Sequence, residues 1–178
     1  MMRLFLSIIL LLTSVSAGSN STANADASAA RKTFQRLFKL EGKWQGKSTK
    51  GWVETVTFKT IAAGSVITET SFDAHPNESM MNMYVLDGER LMFTHYCVSK
   101  TQPRLVATSF DDGGNTITFT FLDGTNIPTR ARGHMDKLVM RFKDDNHFSK
   151  QWTWYQDGKE SWMEEIQLER LATEKTQK

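Results

Sequence analysis

The residues Phe93-Thr94-His95-Tyr96-Cys97 place the chain's single cysteine two positions after one of its four histidines. On a strand, residues two apart share a face at about 6.5–7 Å. That is too far for a direct hydrogen bond but close enough to share a ligand. With His134 as a second imidazole, His95 and Cys97 would offer a zinc or copper site. As an enzyme, the same pair would set a Cys97 thiolate beside a His95 base, a chemistry that needs a lowered thiol pKa and substrate access. No CxxC or HExxH spacing accompanies them. The structural alternative is an interior histidine whose hydrogen bonds are satisfied and a small buried thiol. All three readings stay open at this point.

Two carboxylates raise a sharper question. Glu54 shares its strand face with Trp52, Val56 and Phe58, and Glu164 shares its face with Trp162, Ile166 and Leu168. Burying a carboxylate costs several kcal/mol unless it is paired or hydrogen-bonded. Arg104 and Lys150 are the expected partners, Lys150 because it lies on the aromatic face that also carries Trp152 and Trp154. Such a set would make a structural ion pair, or polar anchors in an otherwise apolar pocket. The candidate ligand contacts are therefore His95, Tyr96, Cys97, Arg104, His134, Glu54, Glu164, Trp152 and Trp154. No catalytic residue, metal site or cofactor is assigned.

These residues must be positioned by strands. After Gly42 the hydropathy pattern has period two, most cleanly in Asn115–Leu122, where Ile117, Phe119 and Phe121 alternate with threonines. Similar runs recur over 43–48, 51–60, 65–72, 80–86, 90–98, 104–110, 133–143, 147–155 and 161–170. Turn signals such as Leu86-Asp87-Gly88-Glu89 and Gln156-Asp157-Gly158-Lys159 separate them. About ten short strands joined by tight hairpins predict an all-β antiparallel meander, closed into an up-and-down barrel because closure removes exposed edges. Its expected inward set is Trp52, Val56, Phe58, Leu91, Phe93, Leu138, Met140, Phe142, Phe148, Trp152, Trp154, Trp162, Ile166 and Leu168. Ahead of the strands, Phe34, Leu37 and Phe38 predict one short amphipathic helix over 29–40.

The N-terminal pattern sets the expected compartment. Arg3, the apolar run Leu4–Leu12 and the small residues Val15-Ser16-Ala17 have the layout of a signal peptide, 1–17, with cleavage as late as residue 25. The apolar run is shorter than the roughly 20 residues of a spanning helix. The expected protein is thus exported, periplasmic or secreted, without stable membrane insertion after cleavage. Residues 18–32 read as a flexible polar leader, 33–171 as one barrel domain and 172–178 as a disordered tail. Net charge is +2, with basic residues interleaved among acidic ones, so no basic stripe exists to bind nucleic acid. The sequence alone sets no oligomeric state.

Leu40-Glu41-Gly42-Lys43-Trp44-Gln45-Gly46 resembles the G-x-W-x-G opening of lipocalin-like (calycin) barrels. The series Asp87-Gly88-Glu89-Arg90-Leu91, Thr94-His95-Tyr96-Cys97 and Gln102-Pro103-Arg104 resembles a family of exported bacterial lipocalin-like domains without an assigned activity. The resemblance covers about Phe34 to Arg170 and implies a barrel that binds a small, largely apolar ligand inside. The haem-binding nitrobindins share the G-x-W-x-G opening, but their haem-ligating histidine lies near the C-terminus, and Trp162–Arg170 contains none. A filled barrel serving as an interaction scaffold is the remaining expectation.

Overall fold

The structure, a computed structural model, describes residues 19–72 and 78–172, with side chains from residue 28 onward. The expected signal segment 1–17 and nearly all of the tail 172–178 lie outside the described residues. Ten strands follow one helix: β1 (Gly42–Ser48), β2 (Val53–Ile61), β3 (Val66–Ser71), β4 (Met80–Asp87), β5 (Arg90–Tyr96), β6 (Gln102–Asp111), β7 (Thr116–Thr125), β8 (His134–Phe142), β9 (His147–Gln156) and β10 (Lys159–Arg170). Each is antiparallel to its chain neighbour, and β1 pairs with β10 as well as β2, so the sheet closes. The seam sets Trp44 opposite Arg170 and Ser48 opposite Ile166.

The helix α1 (Ser19–Phe38) begins ten residues before the expected one and occupies most of the expected leader. Its early turns hold Ala23, Ala25, Ala27, Ala29 and Ala30, and alanine is the strongest helix former. Ala30, Thr33, Phe34 and Leu37 are buried, the i, i+3, i+4, i+7 stripe of a helix laid on a core. Ala30, within the segment expected as a leader, is thus already part of the packed core. The helix lies against β4, β5 and β6 and stoppers one end of the barrel. Arg36 fastens it there, donating to Asn115 Oδ1 (2.8 Å) and Gly114 O (3.2 Å) while its guanidinium stacks 4.2 Å above Phe142.

The G-x-W-x-G segment can be explained residue by residue. Gly42 has φ +121°, a conformation that side chains disfavour, where the chain turns from helix to strand. Trp44 is fully buried, donates its indole N–H to Leu40 O (2.7 Å) and meets Phe148 edge-on at 4.9 Å. Arg170 covers the same indole at 4.2 Å. Gly46 faces Glu54 across β1 and β2, and a Cβ there would stand 2.8 Å from Glu54 Cγ.

The helix-side half of the interior is filled by Trp44, Phe58, Phe93, Phe119, Phe142 and Phe148 with aliphatic neighbours. Most expected inward residues are buried or packed against this core. Trp162 is the exception, at 54% exposure. A bulge between Trp162 and Glu164 inserts one extra residue in β10, so the alternation changes phase. Met163 turns toward the core and Trp162 turns out, while Glu164, Ile166 and Leu168 keep their inward places.

Candidate functional site

Beyond the filled half, the barrel holds a cavity of about 780 Å³ at the end opposite the helix. Its walls carry Trp52, Phe72, Met80, Trp152, Trp154 and Met163, and its floor carries Glu54, Asn82, His95, Lys150 and Glu164. The floor is built by register. Glu69, Asn82 and His95 stand directly opposite one another on β3, β4 and β5, forming one row across three strands.

That row is a chain of hydrogen bonds. Lys150 Nζ donates to Glu69 Oε1 and lies 3.9 Å from Glu54 Oε1. Glu69 Oε2 accepts from Tyr84 Oη (2.6 Å) and Asn82 Nδ2 (2.9 Å). The carboxylate can only accept, so the Asn82 amide group must face it, which turns Asn82 Oδ1 toward His95 Nδ1 at 2.7 Å. His95 Nδ1 then carries the proton and donates. Its Nε2 is left as a lone pair, buried and without a partner among the described residues. On the opposite side, Glu164 Oε2 accepts from Ser48 Oγ at 2.6 Å.

Electrostatics keep this network charged where it is paired and neutral where it is not. Burial pushes the Glu69 carboxyl up, but the Lys150 charge and the three hydrogen bonds outweigh it and hold the group below the usual carboxylate range. Burial pushes Lys150 down, and Glu69 with Glu54 and Glu164 more than restores it. Burial lowers His95 to about 4, Glu69 opposing and Lys150 adding to the shift, so the imidazole is neutral near pH 7. Burial beside Glu69 drives the Tyr84 phenol well above its ordinary value.

The expected site residues divide. His95, Cys97, Glu54, Glu164, Trp152 and Trp154 line the cavity, with the His95 ring 5.1 Å from Trp152. Tyr96 does not: it is 44% exposed, as strand alternation beside an inward His95 requires. Arg104 is also outside, paired with Asp123 on the surface. It serves no inward carboxylate, because Leu105 takes the inward place beside it on β6. His134 is buried in a separate cluster, its ring 4.4 Å from Phe121 and bonded to Arg132 O and Arg130. Arg130 in turn stacks on Tyr155 at 3.9 Å and pairs with Asp136. His134 is not among the cavity-lining residues, so His95, Cys97 and His134 do not converge on one ligand. Among the described residues, no group of three or more His, Cys, Asp or Glu could hold a metal ion. Cys97 is half-buried and forms no disulfide.

No family model matches the chain, and no curated protein matches it. Among solved structures it is similar to the crystal structure of Rv2717c from M. tuberculosis, at 14% identity and a TM-score of 0.53, covering 79% of this chain and 98% of that one. The likeness carries the barrel fold alone.

Sequence reasoning passed over Glu69, Asn82, Tyr84 and Ser48. The available signal was alternation: Glu69 shares a face with Ile67 on β3, and Asn82 shares one with Tyr84 on β4. An acidic residue in phase with a buried isoleucine marks an interior charge in need of a cation.

Proposed function

We propose that the barrel binds a small, largely apolar molecule non-covalently in the cavity at its open end. The observation that carries this reading is the cavity itself, about 780 Å³ with aromatic and methionine walls over a polar floor. Small-molecule sites typically occupy about 300–1,000 Å³ and combine apolar walls with a few placed polar groups. Trp152 and Trp154 offer rigid surfaces at low entropic cost, and Met80 and Met163 adapt to the shape of the guest. A guest that buries about 300 Å² of apolar surface gains roughly 7 kcal/mol before association costs. The signal-like N-terminus supports an exported site of action, testable by N-terminal sequencing of the mature chain.

Native mass spectrometry on protein purified from its own host tests the binding reading. The expected result is an organic mass that leaves on denaturation, together with a change in tryptophan emission when the stripped protein is refilled. A bare polypeptide whose emission is unmoved by any apolar probe would overturn it.

A further inference from the structure

The floor of the cavity is an acceptor surface. Asn82 Nδ2 is spent on Glu69, the Ser48 hydroxyl on Glu164, and Lys150 on Glu69 with Glu54 beside it. What the lining leaves open is the buried lone pair of His95 Nε2, 3% exposed as a residue and unpartnered among the described residues, beside the carboxyl groups of Glu54 and Glu164, which already meet Lys150 and Ser48. The acidic side chains run the same way: Glu54, Glu69 and Glu164 all act on the buried ammonium of Lys150. The exposed part of the lining adds one residue of each sign, Lys50 and Glu78. A guest bringing a carboxylate or phosphate would add a further acidic group to a floor that already holds Glu54, Glu69 and Glu164, and would leave His95 Nε2 without a donor. A guest bringing N–H donors satisfies Nε2 and meets the indole faces of Trp152 and Trp154, which attract cations.

We propose that the guest is an amphipathic amine, its ammonium head seated on His95, Glu54 and Glu164 and its apolar tail running along the tryptophan wall toward the mouth. This rests on the binding reading above and narrows it to a class of ligand.

Three probes of equal chain length separate the two: decylamine, decanol and decanoate, titrated below their aggregation concentrations and followed by tryptophan emission and calorimetry. Decylamine should bind at least about tenfold more tightly than decanol, and decanoate more weakly than either. In Glu164→Gln the preference for amine over alcohol should shrink about tenfold while decanol affinity stays within a factor of about three. Equal or tighter binding of decanoate, or an amine preference unchanged in Glu164→Gln, would overturn the amine assignment and leave the binding barrel standing. Failure of all three probes to bind the wild-type protein would overturn both. The wild-type series decides the matter even where the variant folds poorly.

Discussion

Acid should destabilise this barrel through His95. Its imidazole is neutral in the folded protein, held near 4 chiefly by burial, whereas the unfolded chain titrates near 6.5. Because the folded value lies below the unfolded one, the unfolded state binds the extra proton between them. The contribution is therefore fully present above about pH 6.5 and is lost as the pH falls toward 4. At about 1.4 kcal/mol per tenfold, the whole interval is worth about 3 kcal/mol, of which about 2.5 kcal/mol is gone by pH 4.5. The groups facing the ring are Asn82, which accepts from Nδ1, the Trp152 indole, and the Glu69 and Lys150 charges behind them. Glu69 is depressed below the ordinary carboxylate range, so its own contribution is lost only at lower pH, as the medium passes through its folded value. Urea unfolding followed by circular dichroism at pH 7 and pH 4.5, on the wild type and on His95→Gln, isolates the imidazole. Glutamine can still donate to Asn82 but does not titrate, so the variant should lose about 2 kcal/mol less between the two conditions. Equal losses in the two proteins would refute the reasoning, as would an imidazole found by NMR to titrate at 6.5 or above in the folded state.

The same interior supplies two further tests. Lys150→Met leaves Glu69 and Glu54 buried without their cation and should cost about 3–5 kcal/mol in denaturant titrations, lowering Tm by roughly 10 °C; adding Glu69→Gln should recover a good part of it, and a single-variant loss under about 1 kcal/mol would contradict the buried-pair account. Gly46→Ala places a methyl 2.8 Å from Glu54 Cγ and 2.9 Å from Ile166 Cγ2, so it should destabilise by about 1–3 kcal/mol in the same titration, and a neutral result would mean that Glu54 moves aside freely.

The barrel was legible because its strands obey one simple rule over most of their length. All ten elements were marked by alternation and turn residues, since every strand buries one face and the hairpins need glycine and aspartate at their tips. The rule fails where a strand gains a residue. The bulge after Trp162 reverses the phase of β10 locally, and nothing in the run Ser161-Trp162-Met163-Glu164 announces it. The start of the helix was hidden for another reason: alanine-rich turns carry helix propensity without apolar contrast, so periodicity detects only the part that packs. In the site, alternation placed His95, Glu54 and Glu164 on the cavity side, and the same rule turns Tyr96 outward although it stood among the expected contacts. It also named Lys150, which lies 3.9 Å from Glu54, but it missed Glu69 and misplaced Arg104, because which strand faces which across a closed sheet depends on register. Lys150 meets Glu69 from a strand far away in the sequence, and Arg104 spends its charge on Asp123 of the next hairpin.

The seam between β1 and β10 constrains how the chain can assemble. Nine of its ten pairings join strands consecutive in the chain and can form as each hairpin is completed, but Trp44 meets its Arg170 partner only when the last strand is available. During synthesis from the N-terminus, β1 therefore waits with one row of backbone donors and acceptors unmatched, and so does whichever strand was made last. Two open margins on an otherwise ordered sheet invite pairing with the margins of another copy. Dilution should thus favour recovery of the native barrel from denaturant, because intramolecular closure does not depend on concentration while pairing between copies does.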